Sequence, residues 1–414
     1  MNKLFNSFYD GYINTKLPSK NNINIRSIST PEELLIHKNS FLNEDNYISN
    51  KIKNEIKKYN YCYEIKLNPS QSITSFYPYE SNKYMPYITI YYLMKNKKEP
   101  SLKSISPQLR RICFISNLYS KHNSDSTPLK CWFCPTSNMK LLPQIPLSMP
   151  SSTPSSMPSS KPSSTPIILG PDNVNSGLSI PDIRHIKIWR EEELNKVLTH
   201  ELIHTYKLDK EIYNTNEVND YIRTILNISP SNEINLNEAY TEGLTTILNT
   251  IFIMIDDKIN NNINTQSQYK KYKSILNTEL DFSINQIAKI LHYNGYNNIN
   301  ELFIKPVKNI NNMNNNHKKH KWKQNSNVLS YYLIKTALLN NLNDFIKFLK
   351  STNCFTVTKQ NIPQFKLLLN HSLRNKNFIK KVNTKMRNTN RNIHLRNTNT
   401  KLKQKSSLRM TFFG

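Results

Sequence analysis

The stretch VLTHELIHTYK, from Val197 to Lys207, has two histidines four residues apart and a glutamate directly after the first. Positions i and i+4 of a helix lie on one face with Cβ atoms about 5–6 Å apart, so His200 and His204 can reach one ion. Glu201 is then suited to take a proton from a water activated by that ion. The stretch therefore predicts a helix with two metal ligands and a catalytic base. The alternative is an amphipathic helix with incidental histidines.

A second motif, INLNEAYTEGL from Ile234 to Leu244, has Glu238 and Glu242 at the same helical spacing. Catalytic zinc takes three protein ligands and keeps one open position, so one of these carboxylates can complete the set. The other can accept the free N–H of a ligating imidazole, which fixes the tautomer of the ring. The alternative is that both carboxylates lie on a solvated helix face. Against it, the following LTTILNTIFIMI is too apolar for a surface helix, and buried carboxylates need a charged partner.

The local charge agrees with a cation site. Eleven of the 29 acidic residues fall between Glu191 and Glu242, although the formal net charge of the chain is +27. Acidic side chains clustered around two histidines suit a divalent cation.

The segment Asn237–Glu242 resembles the Asn-Glu-Ala-x-x-Asp segment of thermolysin and the Asn-Glu-x-x-x-Glu segments of other gluzincin metallopeptidases. The resemblance implies a zincin-like α+β fold, in which a small mixed sheet is followed by an active-site helix and a mostly helical C-terminal lobe. It also implies one Zn²⁺ per chain, with Glu238 as third ligand and Glu242 as the partner of His200. Asn173–Asp209 is in addition similar to uncharacterised metallopeptidase-like proteins of large DNA viruses, so we expect a virus-encoded protein.

Some features depart from these families. The gap of 34 positions between His204 and Glu238 is longer than in thermolysin, although gluzincins vary in this spacing. A metzincin is excluded, because Lys207 and Lys210 stand where that group has glycine and histidine. Asp209 is an alternative third ligand, but its position at the expected helix end favours a capping or loop role.

Peptide hydrolysis also needs a donor that stabilises the oxyanion. His292, Tyr331 and Tyr332 are the candidates, and each has a packing role as its alternative. The strand HIKIWR, which contains Ile186 and Ile188, is expected to be the sheet edge that pairs with an extended substrate.

The chain divides by composition into three regions. Residues 1–58 are a polar N-terminal segment, and residues 59–372 are the expected metallopeptidase domain. Within that domain the Pro/Ser repeat at 146–167 cannot bury a core and is expected to be an inserted, solvated loop. Residues 373–414 carry twelve Lys/Arg and no acid between Arg374 and Arg409, which predicts a disordered basic tail.

Net charge and a pI of about 9.7 are typical of proteins that bind nucleic acid or acidic surfaces. AT-rich codons, which enrich Asn, Lys, Ile and Tyr together, explain the same excess. Nonspecific attraction of nucleic acid by the tail and by HKKHKWK (317–323) is therefore one alternative, and simple solubilisation is the other.

The cysteines and the hydropathy pattern bear on location. Five scattered cysteines favour a reducing compartment, and Cys131 and Cys134, although spaced CxxC, are expected to be buried thiols rather than a zinc knuckle or redox pair. The N-terminus has no signal-peptide pattern, and no apolar run reaches the ~18–20 residues of a membrane span. We expect an intracellular protein, in host cytoplasm or virion.

Two functions fit this pattern. The first is a zinc metalloendopeptidase acting on a protein or peptide. The second is a catalytically silent zincin-fold structural or virion packaging protein with a nucleic-acid-binding tail. The retention of Glu201 together with the ligands favours the enzyme, because a decayed site usually loses its base first.

Overall fold

The computed structural model describes residues 2–15, 22–43, 47–67, 87–120, 127–143, 168–213, 216–261, 268–303, 321–352, 355–393 and 407–413. The strands are β1 (Ile23–Ile28), β2 (Tyr61–Leu67), β3 (Ile88–Met94), β4 (Leu129–Thr136), β5 (Gly177–Ile180) and β6 (His185–Arg190). The helices are α1 (Asn2–Ile13), α2 (Pro31–Leu42), α3 (Asn50–Lys57), α4 (Leu102–Ser120), α5 (Pro171–Val174), α6 (Leu194–Thr205), α7 (Lys210–Tyr213), α8 (Asn216–Leu226), α9 (Leu236–Asn261), α10 (Gln268–Tyr293), α11 (Lys335–Asn340), α12 (Leu342–Ser351), α13 (Ile362–Leu373) and α14 (Lys376–Ile393), with a π-helix at Leu329–Ile334.

The strands form one mixed sheet in the order β1-β2-β3-β4-β6-β5. β1, β2 and β3 are antiparallel, β3, β4 and β6 are parallel, and β5 returns antiparallel to β6. The central strands are rich in β-branched and aromatic residues, which pack well on a pleated surface. The predicted α+β class is confirmed.

Apolar clusters cover both faces of the sheet. One face packs against α2 and α3 around Phe41, Ile52 and Trp132. The other face is part of the larger core, in which Ile188 of β6 and Leu198 of α6 are fully buried. The active-site helix predicted from the sequence therefore lies directly against the sheet.

The expectation that HIKIWR forms the sheet edge is wrong. This strand, β6, pairs with β4 on one side and β5 on the other, and Ile186 and Ile188 are completely buried. The short segment Gly177–Ile180 folds back through the turn at Pro181 and takes the outer position, so β5 is the edge.

The C-terminal region also differs from its expectation. The structure has a helix, α14, over much of the region where a disordered tail was predicted. Phe378, Val382 and Met386 recur every four residues on one face and are buried, and α14 packs against α10. The basic residues lie on the remaining faces, so an apolar stripe orders a segment whose composition alone favours disorder.

The Pro/Ser-rich loop at 146–167 and the first residues of HKKHKWK, 317–320, lie outside the described residues. The division at residue 58 is not visible in the sheet, since β1 pairs with β2 along its whole length. Of the helices that the structure describes, none combines the length and apolarity needed to cross a membrane.

Candidate metal centre

Two packed helices form the candidate site. α6 carries His200, Glu201 and His204 in consecutive turns, and α9 carries Glu238 in its first turn and Glu242 one turn later. His200 and His204 are four residues apart, as are Glu238 and Glu242, so the side chains of each pair project from one face of their helix. Among the residues that the structure describes, His200, His204 and Glu238 are the group able to hold a metal ion.

The three ligand atoms converge closely. His200 Nε2 lies 3.0 Å from His204 Nε2, and the two nitrogens lie 3.2 Å and 3.1 Å from Glu238 Oε2. The side chains are only 9%, 13% and 16% exposed, respectively, so protein replaces most of the water around them. Two ring nitrogens and a carboxylate oxygen therefore share one common centre.

Each imidazole is oriented by a carboxylate behind it. His200 Nδ1 lies 3.0 Å from Glu242 Oε2, and His204 Nδ1 lies 2.7 Å from Asp209 Oδ2. An ionised carboxylate only accepts hydrogen bonds, so each Nδ1 donates its proton, and a ring in its neutral form then presents the lone pair of Nε2 to the centre. The two carboxylates thus favour, for each neutral ring, the tautomer that binds a metal.

The donor set fits zinc. Zinc bonds of about 2.0–2.2 Å in a tetrahedral site hold neighbouring ligand atoms roughly 3.3–3.6 Å apart. The observed separations of 3.0–3.2 Å need to open by only a few tenths of an ångström, within side-chain reach. Two imidazoles and one carboxylate with a fourth position left open are also the ligand types of catalytic zinc sites.

The electrostatics of the cluster favour a cation. Burial lowers the pKa of His204, but the nearby Asp209 and Glu238 carboxylates outweigh it and raise that pKa well above its ordinary value. Burial raises the pKa of Glu238, and the two histidines reverse this and hold the pKa below its usual range. The carboxylates around the imidazoles thus stabilise positive charge at the centre, whether it comes from protons or from a metal ion.

Glu201 lies between the ligands and the edge strand β5. It is 7% exposed, and burial raises the pKa of its carboxyl group, while a hydrogen bond from Ser179 of β5 opposes the shift. A Cβ atom at Gly177 would lie 2.7 Å from Glu201 Oε1 and 2.7 Å from Val197 Cγ1. The missing side chain at Gly177 therefore leaves the space in which the carboxylate sits.

The structure separates the three candidates for the oxyanion donor. The Tyr331 ring lies 6.0 Å from the His200 ring, between centroids, and burial with the neighbouring Glu238 and Glu201 carboxylates raises the pKa of its phenol well above the ordinary value. The Tyr332 hydroxyl instead donates to the Leu408 carbonyl at 2.5 Å. His292 is exposed at the end of α10. Of these three candidates, only Tyr331 lies beside the metal-binding cluster. It belongs to the π-helix, and such helical irregularities are frequent at functional sites.

The sequence did not give the roles of two polar residues that order the site. Asp209, for which a capping or loop role was favoured, orients His204 and also accepts a hydrogen bond from Asn237 Nδ2 at 3.1 Å. Lys196 contacts the Glu242 carboxylate directly, and both side chains are buried. Lys196 lies one helical turn before His200, which is the only signal of its role in the sequence.

Cys131 and Cys134 do not form a second site. They are three residues apart on β4, so their side chains point to opposite faces of the sheet and enter different core clusters. Both are fully buried free thiols, and burial raises the pKa of each. The predicted buried thiols agree with this arrangement.

Comparisons with known proteins give one relative. The chain is 24% identical over 287 residues to an uncharacterised protein of Acanthamoeba polyphaga mimivirus, across 68% of this chain and 65% of that protein. The matched region thus spans just under two thirds of the relative. A similarity to a viral protein is therefore confirmed. No protein-family model matches the chain, and no solved structure matches it significantly.

Proposed function

We propose that this chain is a zinc-dependent metallopeptidase, encoded by a virus. The observation that carries the proposal is the convergence of His200, His204 and Glu238, with separations of 3.0–3.2 Å between ligand atoms, beside the buried carboxylate of Glu201. An ordinary amphipathic helix with incidental histidines does not explain why a third ligand, a base and two orienting carboxylates lie around the same point.

His200, His204 and Glu238 would hold the zinc ion, which would supply a Lewis acid for the substrate carbonyl and for the attacking water. Glu201 takes the proton of the attacking water and delivers a proton to the leaving amine. Burial raises the pKa of its carboxyl group, which favours acceptance of a proton at this position. Tyr331 donates its phenolic proton in a hydrogen bond to the developing oxyanion.

The edge strand β5 supports peptide as the substrate class. Its inner edge pairs with β6, and no described strand pairs with its outer edge. Gly177 and Ser179 of β5 contact Glu201, so a peptide adding to this edge as a further strand runs past the base. Main-chain pairing recognises an extended segment of many sequences, which suits an endopeptidase.

The runner-up function is a catalytically silent packaging protein that binds nucleic acid through its basic C-terminal region. The exposed basic side chains Lys376, Lys380 and Arg387 of α14 favour it, since they form one stripe along that helix. Such a protein retains zinc without turnover. The buried Glu201 favours the enzyme, because a scaffold does not require an ionisable group at that position.

Cleavage of a mixture of quenched fluorescent peptides by the zinc-loaded chain tests the proposal. We expect cleavage by the natural chain and by Glu191→Gln, an exposed glutamate near the same helix. We expect none by Glu201→Gln, with the zinc content unchanged. Cleavage by the Glu201→Gln variant would show that the base is assigned wrongly, and zinc binding without cleavage by any form would favour the scaffold.

A further inference from the structure

Residues Ser407–Phe413, here called the C-terminal segment, lie near the metal centre, and most of them are buried, whereas Phe412 is exposed. Leu408, Met410 and Thr411 are 0%, 5% and 2% exposed. The segment contacts Glu193, which directly precedes α6, as well as α10 and the π-helix, through hydrogen bonds of its main chain. Its position within the fold is therefore specific, although the sequence predicted a disordered tail.

Two buried carboxylates bind the main-chain N–H groups of the segment. Glu193 Oε1 accepts from Met410 and Thr411, both at 2.7 Å, and Glu279 accepts from Phe412 at 3.0 Å and Phe413 at 3.1 Å. Charge-assisted hydrogen bonds of this kind are about twice as strong as neutral ones. The segment is held by fixed charges rather than by apolar packing alone.

Glu193 also links the segment to the start of the active-site helix. It precedes α6 with a φ of 65°, in the left-handed region that non-glycine residues rarely adopt. Such a conformation is strained and persists only where its surroundings fix it. The bonds from Lys140, Met410 and Thr411 to its carboxylate supply that fixation.

Met410 contacts both lysines that flank Glu242. Lys335 Nζ donates to the Met410 carbonyl at 3.2 Å and lies 4.0 Å from Glu242 Oε1. Lys196 Nζ lies 3.7 Å from Met410 Sδ and contacts the same Glu242 oxygen. Both lysines are 2% exposed or less, so protein contacts rather than water fix their positions.

Glu242 connects the two lysines to His200, one of the proposed metal ligands. Its side chain is fully buried, and its second oxygen, Oε2, holds His200 Nδ1 at 3.0 Å. A buried carboxylate is stable only when cations and hydrogen bonds compensate it, so its position follows that of the two lysines. A continuous chain of contacts thus runs from Met410 through Lys335 and Lys196 to Glu242 and His200.

We propose that the C-terminal segment is a positioning element of the metal centre: Met410 fixes Lys335 and Lys196, and these fix Glu242 and through it His200. This inference rests on the zinc site of the proposed function. It assigns Lys196 and Lys335 as positioning residues that touch neither zinc nor substrate. Losing the segment weakens zinc binding while every ligand remains in the chain.

The test is the dissociation constant for zinc, measured by competition with a chelator. We expect a chain ending at residue 406, and the full-length Lys335→Met variant, to bind zinc about 10–100-fold more weakly, the usual effect of losing an outer partner of a ligand. A synthetic peptide of residues 407–414, added to the shortened chain, should restore the affinity. Lys289→Met is the matched control, because Lys289 also binds the segment, but at the Ser407 carbonyl, three residues before Met410.

Circular dichroism and the unfolding temperature separate positioning from simple stabilisation. A lysine with a merely structural role lowers the unfolding temperature and leaves the zinc affinity of the folded chain unchanged. If the shortened chain does not fold, the Lys335→Met comparison decides. Folded Lys335→Met protein that binds zinc as tightly as the natural chain overturns the inference and leaves the metallopeptidase intact. A natural chain that binds no zinc contradicts the proposed function itself.

Discussion

His200 Nε2 and His204 Nε2 lie 3.0 Å apart, although neither nitrogen can donate to the other when both rings are neutral and donate through Nδ1. Two lone pairs at this distance repel unless a proton or a cation lies between them and Glu238. A hydrophobic core with spare histidines would avoid this arrangement by turning one ring. The carboxylates at Glu242 and Asp209 oppose that rotation, and so the geometry favours positive charge at the centre, supplied by a proton or by a metal ion.

Asp209 should contribute to zinc affinity as an outer partner of His204. We expect Asp209→Ala to weaken zinc binding about 10–100-fold, because the ring loses the acceptor that sets its tautomer. Chelator competition measures the change. Asp182→Ala is the control, since Asp182 is exposed and pairs only with Lys207 among the ion pairs described. Equal zinc affinity in the two variants would show that Asp209 does not contribute to zinc binding.

Tyr331 should act on turnover rather than on metal binding. We expect Tyr331→Phe to lower kcat by roughly 10²–10³-fold, the usual loss for one oxyanion donor, with zinc content unchanged. Tyr272→Phe, a change at a buried tyrosine of α10, should leave kcat near its natural value. Steady-state kinetics on one cleaved peptide distinguish these results, and a Tyr331→Phe enzyme with unchanged kcat would leave the oxyanion without a donor.

Gly177 should be required for the position of Glu201. In Gly177→Ala the new Cβ meets Glu201 Oε1 and Val197 Cγ1, both at 2.7 Å, and the helix cannot retreat from the sheet without cost. We expect overpacking to cost about 1–3 kcal/mol of unfolding free energy. Since a shift of about 1 Å can cost 10²-fold in rate, cleavage should fall steeply while zinc remains bound.

Gly170→Ala is the matched control for that change. Its new Cβ meets Asn325 Cβ at 3.8 Å, an ordinary contact. Chemical denaturation and peptide cleavage are measured on both variants. The interpretation of Gly177 fails if both variants retain natural activity.

The metal-free protein should lose stability as the pH rises. Because the pKa of His204 in the folded chain is raised above its ordinary value of 6.5, protonated His204 stabilises the fold. This contribution is complete below about pH 6.5 and is lost as the pH passes through the raised pKa. Zinc affinity should rise over the same range, since zinc binds the neutral imidazole. Thermal unfolding with and without zinc checks both trends, and a metal-free chain that gains stability above pH 6.5 would contradict them.

The local part of the site was predictable from the sequence. His200 with His204, and Glu238 with Glu242, are i, i+4 pairs, so helical geometry alone puts each pair on one face. That the two faces meet required the motif resemblance, because no spacing rule sets the packing of α6 against α9. Asp209 was visible as an acid at the helix end, but its hydrogen bond to His204 depends on how the chain turns there.

The non-local part was not predictable. The edge position of β5 depends on a strand of four residues that reverses through Pro181, too short to stand out by periodicity. The bonds from Glu193 and Lys335 to Met410 join residues separated by 217 and 75 positions. Composition indicated disorder for the C-terminal segment. The charged groups that bind it are remote in sequence, so nothing local in the sequence indicated that it is ordered.

The most direct test of the account is the zinc content of the purified chain by elemental analysis, with His204→Ala as the comparison. We predict roughly one zinc per folded natural chain and almost none in the variant, because two remaining ligands do not make a stable site. A folded natural chain without zinc, or a His204→Ala chain with undiminished zinc, would contradict the account at its centre.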